Sequence, residues 1–331
     1  MPKKITWIKI SSKMYGGVVY GEKARNALSG KYDLEVKNIS SGKLGSKYLK
    51  PLEWLLGMIF LKGKSDLWVR DDFYSIALQS FSQTQGKRLS AVYHIDSSTF
   101  PFFLKSIIFL IEKTFYWQIK KSDAILTIAD YWKNHFLEKG CKNVYKISPA
   151  FNLPEFNVTQ EEAEEFKKEK GLIGKPIIYL GNCQKAKGAL KSYEALRGLD
   201  AYFVTSGREQ IKIPAFNFNS DYRDYLKLLK ASSVVLTMSL FNEGWCMTAH
   251  EAMLLGIPVI GSGKGGMEEL LAGGKQIICK DFNQLRKNVE SLLLNEEERE
   301  KMGREGREFA EQFTIERFDE EWLKMASEIL S

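Results

Sequence analysis

The sequence predicts an α/β protein built from two domains, each with a mostly parallel sheet. Three observations carry this. Strand-like and helix-like segments alternate along 331 residues, the alternation stops once at a proline-bearing stretch, and it then starts again. A chain of this length with 44% hydrophobic and 12% aromatic residues can bury a large core in more than one domain.

In the first half the strand candidates are Ile5–Ile10, Leu67–Val69, Ala91–His94, Ala124–Ile128 and Val144–Ile147. Longer helical patterns lie between most of them. The break is SPAFNLPEFNV, which has two prolines and no period, followed by the charged helix TQEEAEEFKKEKGL. Beyond it come Ile177–Leu180, Tyr202–Thr205, Val234–Met238, Pro258–Gly261 and Gln276–Cys279. The boundary is expected near residues 149–158, giving domains 1–150 and 151–312, with 313–331 as a terminal helix returning to the first. Open parallel sheets bind ligands beyond the carboxyl ends of their strands, so the site is expected in the cleft between the domains.

Charge and cysteine usage narrow the function classes. Through residue 150 there are 24 Lys and Arg against 12 Asp and Glu, a balance of +12, while the remainder is acidic by 5. A basic first half suits a membrane surface, a phosphorylated acceptor or nucleic acid; a lysine-rich composition without function reads the same way. Cys141, Cys183, Cys246 and Cys279 form no CxxC pair and no metal-ligand cluster, as expected of reduced thiols in a cytoplasmic protein without zinc. MPKKITWIKI lacks the apolar core of a signal peptide, and no apolar run is long enough to cross a bilayer.

The chemistry concentrates in FNEGWCMTAHEAMLLGIPVIGSGKGG, residues 241–266. Val234–Met238 reads as a buried strand, so SLFNEG leaves its carboxyl end. The helix should run from about Cys246 to Leu255, where Gly256 caps it and Pro258 prevents continuation. Its first amides, around Gly244, Trp245, Cys246 and Met247, lack helical acceptors, and the helix dipole there favours an anion. Glu243 precedes that end and Glu251 lies inside the helix. If wholly helical, the segment would hold the two acids roughly 12 Å apart, about the span from hexose to ribose in a nucleotide sugar. A carboxylate accepts two hydrogen bonds from a vicinal diol. Two glutamates eight apart also occur at ordinary helix caps, so the surrounding residues decide.

Those residues are Gly244, then EAMLLGIPVIGS, then Gly265, Gly266 and Glu269. Together they resemble the E-x7-E region of retaining GT-B glycosyltransferases, above all glycosyltransferase family 4. MYGGVVYGEKARNAL, LWVRDDFYSIAL, SAVYHIDSS, KKSDAILTIADYWKNHFLEKGCKNVYKI and GNCQKAKG follow that family's order and spacing. The resemblance implies a GT-B fold of two Rossmann-like domains, acceptor-binding first and nucleotide-sugar-binding second. It also implies transfer of a hexose with retention, without a cofactor or catalytic metal. No Asp-x-Asp is present.

Carried across by motif, Glu251 holds the ribose and Glu243 the transferred sugar. Lys187 of the KG pair stabilises the departing diphosphate, and His94 lies near sugar and acceptor. Gly16 and Gly17 approach the donor phosphates; Gly181, Asn182 and Lys185 line the following loop. The competing readings, weighed below these roles, are a core histidine for His94 and a solvated lysine for Lys187; His135 and His250 read as structural. Where the family has an arginine this chain has Asn182, so Lys185 or Arg208 is expected to supply the charge. Asn217, Phe218 and Asn219 border the base pocket. Asp71 and Asp72 read as helix caps, and Asp72 as the acceptor-side residue.

The implied partners are a UDP- or GDP-sugar and a glycan or lipid-linked acceptor. TFPFFLKSIIFLIEKTFYWQIKK, residues 99–121, could be an interfacial helix on an anionic membrane or a core helix with solvated lysines. A catalytically impaired nucleotide-sugar-binding protein, a nucleic-acid glucosyltransferase and an epimerase of the same fold stay open, although no base-reading motif points to nucleic acid.

Overall fold

The computed structural model describes residues 2–10, 16–40, 50–95 and 105–331, with the side chains of 50, 51 and 105–108 left aside. The chain forms two compact units: residues 1–150 with 315–331, and residues 151–314.

The first unit holds strands β1 (Lys4–Lys9), β2 (Asp33–Asn38), β3 (Lys62–Arg70), β4 (Gln83–Ala91), β5 (Ala124–Thr127) and β6 (Val144–Lys146). They form one parallel sheet in the order β2-β1-β3-β4-β5-β6. Helices α1 (Gly16–Ser29), α2 (Lys50–Phe60), α3 (Phe73–Ala77), α4 (Lys105–Ile119) and α5 (Asp130–Glu138) connect them. Crossover helices cover both faces of a parallel sheet, so β3 ends in a continuous buried run, Leu67 to Arg70.

The second unit holds β7 (Ile177–Asn182), β8 (Tyr202–Ser206), β9 (Phe216–Phe218), β10 (Val234–Thr237), β11 (Val259–Gly261) and β12 (Ile277–Ile278). They pair in parallel in the order β12-β11-β10-β7-β8-β9. Its helices are α6 (Gln160–Glu169), α7 (Ala189–Leu196), α8 (Tyr222–Ala231), α9 (Met247–Leu254), α10 (Met267–Gly273), α11 (Phe282–Leu294) and α12 (Glu296–Ala310). Ile178, Leu180, Val234, Leu236 and Ile260 from its central strands form the core with Leu285 and Val289. Helix α13 (Ile315–Leu330) returns to the first unit, where Trp322 meets Trp7 at 5.7 Å and Phe318 meets Tyr20 edge-on at 5.1 Å.

Three strands depart from the sequence reading. Ala91–His94 was expected as a strand; the strand is instead Gln83–Ala91, and His94 lies three residues beyond its end. QTQGKRLS is too polar to read as a strand, but its backbone is paired along β3. DLEVKN and FNF form the edge strands β2 and β9, too short or too polar to stand out.

Each sheet reverses direction once. In the second unit the reversal lies between β7 and β10, so the loops leaving their carboxyl ends are neighbours. That arrangement positions the candidate site.

Candidate functional site

The loop after β10 folds onto the turn after β7. Leu240 donates its amide to the Ala186 carbonyl at 2.8 Å. Gly188, at φ +72°, lies so close that a Cβ there would fall 2.1 Å from the Met238 carbonyl oxygen. Only glycine fits this approach, and it fixes the neighbouring Lys187. Lys187 Nζ donates to Glu243 Oε1 at 2.6 Å and stands 5.0 Å from the Phe241 ring centre. The Ser239 hydroxyl donates to the same carboxylate oxygen. Glu243 is buried, and its backbone is clamped on the other side. Its amide donates to Lys264 at 3.2 Å, and Gly266 donates to its carbonyl at 3.0 Å. Gly265, at φ +67°, passes so close that a Cβ would lie 2.4 Å from that carbonyl. The two glycines read from the sequence as a loop signature thus set where Glu243 stands.

Helix α9 begins at Met247, one residue later than expected, because Cys246 adopts a left-handed φ of +58° at the N-cap. Cys246 is buried, and burial pushes its thiol pKa up to about 12. Gly244 and Trp245 are also buried and Met247 is half-buried. Behind this turn, Trp245 Nε1 donates to His250 Nδ1 at 3.0 Å. Indole nitrogen can only donate, so the His250 proton is on Nε2, 3.1 Å from the Ala310 carbonyl oxygen. His250 stacks on Phe151 with ring centres 3.9 Å apart. The structural reading of His250 stands, and the Trp245 side chain is engaged with it.

Glu251 is buried too, yet faces a cavity of about 380 Å³. Asn182, Phe218, Tyr222, Tyr225, Thr248 and Glu251 line its walls. Tyr222 donates to Glu251 Oε1 at 3.1 Å and Tyr225 to Oε2 at 2.9 Å. Both phenols are held far above their ordinary pKa, first by burial and then by the Glu251 charge, so they remain donors. Hydrogen bonds to a charged group are worth about 1.5–3 kcal/mol each, which offsets much of the cost of burying the carboxylate. Asn182, which also lines the cavity, accepts on Oδ1 from Tyr179 at 3.1 Å and Ser206 at 3.0 Å.

Sequence reasoning missed Tyr222 and Tyr225. Their signal was present as a Tyr-x-x-Tyr pair on one face of α8, whose start is capped by Asp221. Asn217 is tied to Thr205 at 2.9 Å and to the Gly207 carbonyl at 3.0 Å, while Phe218 reaches the cavity wall.

The remaining predicted residues are divided between the two units. Gly181, at φ +97°, is buried within β7. Lys185 and Arg208 are exposed, and neither is among the residues lining the cavity. Gly16 and Gly17 open α1, whose preceding residues 11–15 lie outside the described residues. His94 is exposed in the first unit. Asp72 caps α3 by accepting from the Tyr74 and Ser75 amides at 2.8 and 3.3 Å. Its neighbour Asp71 instead accepts from Trp7 Nε1 at 2.9 Å, and burial lifts its pKa from 3.8 to about 6. Among the described residues no three His, Cys, Asp or Glu side chains cluster as metal ligands.

Comparison with solved structures identifies the class as GT-B. Anabaena Alr3699/HepE in complex with UDP and glucose superposes at a TM-score of 0.75, with 13% identity, covering 98% of this chain and 99% of that one. Sucrose-phosphate synthase from Thermosynechococcus elongatus superposes at 0.78, with 14% identity over 98% of each chain. Two six-stranded parallel sheets with flanking helices are the Rossmann-like pair that this fold requires. Residues 160–309, all within the second unit, match the family model Glycosyl transferases group 1. Spore coat protein SA of Bacillus subtilis (strain 168) is 27% identical over 205 residues, which cover 53% of each chain. The match therefore spans about half the length of that relative.

Proposed function

We propose that the protein transfers a hexose from a nucleotide diphosphate sugar to a hydroxyl acceptor, glycan or lipid-linked, with retention of anomeric configuration and without a catalytic metal. One observation carries this reading. The switch point of a sheet whose domain matches a glycosyltransferase family model presents an ion pair between Lys187 and the buried Glu243, and the helix that follows carries Glu251 into the wall of a cavity.

In this reading Glu251, oriented by two tyrosines, accepts from the ribose hydroxyls in the cavity. Glu243 accepts from hydroxyls of the transferred sugar. Lys187 turns from Glu243 to the diphosphate as the bond to the anomeric carbon lengthens and negative charge grows on the leaving oxygen. A cation and helix amides placed there stabilise the transition state more than the ground state. The Asn182 amide donates to the donor without adding charge, so Lys187 is the cation assigned to the leaving group. UDP-sugars are the first donors to test, since the HepE neighbour was solved with UDP and glucose.

A thermal-shift series with UDP, GDP and their sugars tests the reading. A nucleotide at about 100 times its dissociation constant stabilises by about 2.7 kcal/mol. Glu251→Ala should weaken nucleotide binding by about 1–3 kcal/mol, and Lys187→Ala should lower turnover by about 100-fold or more while changing affinity less. No stabilisation by any nucleoside diphosphate would overturn it.

A further inference from the structure

Among the described residues of the first unit, two helices carry large apolar side chains that stay exposed. On α2, Leu52, Leu56, Ile59 and Phe60 recur at i, i+4, i+7 and i+8, one stripe of a helix, and all four are exposed, Phe60 to 77%. On α4, Phe109, Leu110 and Trp117 are exposed to 59%, 65% and 58%. The two helices belong to one layer. Trp54 of α2 meets Tyr74 of α3 at 4.7 Å, and Phe73 of α3 stacks on Phe115 of α4 at 4.5 Å. Between them Ser80 donates to Gln118 of α4 at 2.6 Å, beside the half-exposed Phe81. Scattered apolar side chains on a surface are ordinary; an exposed apolar stripe on each of two helices that pack against the same α3 is not.

Charge says what covers this face. Lys62 and Lys64 follow α2, Lys120 and Lys121 follow α4, and Lys113 lies within α4; all are exposed. Lys113 and Lys121 lay their ammonium groups over the exposed rings of Phe109 and Trp117, at 4.6 and 3.1 Å from the ring centres. Such aromatic–lysine pairs suit the boundary between headgroups and acyl chains, with the ring in the apolar layer and the charge reaching outward. The only acid of α2, Glu53, is buried, and α4 has one acid, Glu112. A second copy of the chain would set these lysines against lysines. The balance of +12 over residues 1–150 extends the same preference.

We infer that the α2–α4 face of the first unit docks on an anionic lipid bilayer, with Phe60 and Trp117 inserted and the flanking lysines on the headgroups. The contact is peripheral. No helix among the described residues is long and apolar enough to cross a membrane. The inference does not depend on the donor assignment.

Cosedimentation of the full chain with vesicles tests it, comparing mixed phosphatidylglycerol–phosphatidylcholine with phosphatidylcholine alone. Wild type should partition onto the anionic vesicles and be released by salt. Phe60→Ser with Trp117→Ser should reduce partitioning about tenfold or more, and Lys113→Glu with Lys121→Glu should do likewise. Both pairs are on the surface, so the melting temperature and the UDP-induced thermal shift, measured without vesicles, should stay at wild-type values. That control separates failure of docking from failure of the donor site. Absence of wild-type binding to anionic vesicles, or unchanged binding in both variants, would overturn the inference. So would a dimer in sedimentation equilibrium that Phe60→Ser dissolves, since the face would then belong to a second copy.

Discussion

Replacing Glu243 with Gln separates two roles that the Lys187–Glu243 pair combines. The carboxylate is almost fully buried, accepts from Lys187 at 2.6 Å and also accepts from Ser239. Lys187 is partly open to solvent, so the pair is worth less than a fully desolvated one, about 1–2 kcal/mol. A diphosphate that recruits Lys187 must overcome that attraction. Gln keeps the shape and an oxygen acceptor but removes the charge, so Lys187 becomes available. UDP binding should tighten by about 5- to 30-fold, since 1.4 kcal/mol corresponds to a factor of ten. Turnover should fall at the same time, because the acceptor for the sugar hydroxyls has lost its charge. Isothermal titration with UDP measures the first effect and transfer or hydrolysis of a UDP-sugar the second. Unchanged or weaker UDP binding by Glu243→Gln would refute the competition and remove Lys187 from the diphosphate site.

Two further predictions rest on other contacts. Gly265→Ala introduces both a left-handed strain and a collision 2.4 Å from the Glu243 carbonyl oxygen, whereas Gly198→Ala, at φ +92° with open space around it, introduces strain alone. Chemical denaturation should show Gly265→Ala costing at least about 1 kcal/mol more than Gly198→Ala and losing activity with it; equal costs would mean that the loop moves aside. Asp71 binds its proton more tightly folded than unfolded, so its ionisation penalises the native state progressively from about pH 4 to pH 6 and fully above that. Asp71→Asn should therefore be more stable than wild type by about 1–2 kcal/mol at pH 7.5, after discounting for the part of the residue that still meets solvent. The gap should close near pH 4 in urea denaturation, and a gap independent of pH would count against the burial argument.

The helix of the E-x7-E segment was legible because every feature of it is local. A buried strand precedes it, Gly256 follows it at φ +73°, and the acids flank its start. Lys187 was legible only by motif; its meeting with Glu243 depends on two loops that share a switch point 56 residues apart in sequence. Tyr222 and Tyr225 escaped notice because DYRDYLKLLKA reads fully as an amphipathic helix, and nothing local says that its tyrosines face Glu251. The reach of β4 back to Gln83 was hidden for a related reason. A polar segment becomes a strand when a neighbouring strand supplies its backbone partners, and that pairing is tertiary.

The chain enters the second unit at Phe151 and leaves it at Thr314, and these two residues form a parallel bridge, with the Phe151 amide donating to Phe313 at 2.9 Å. Entry and exit are thus side by side, and the family match at 160–309 falls wholly between them. Such an arrangement makes residues 151–314 a cassette. Its ends are already held together by its own hydrogen bonds, so it can be exchanged for another domain with adjoining ends at no cost in new loop closure. Joining 151 to 314 and opening an exposed loop elsewhere would permute it with the same sheet intact. Under the proposed function, such an exchange would replace donor choice as one piece while the lysine-rich unit keeps its own surface.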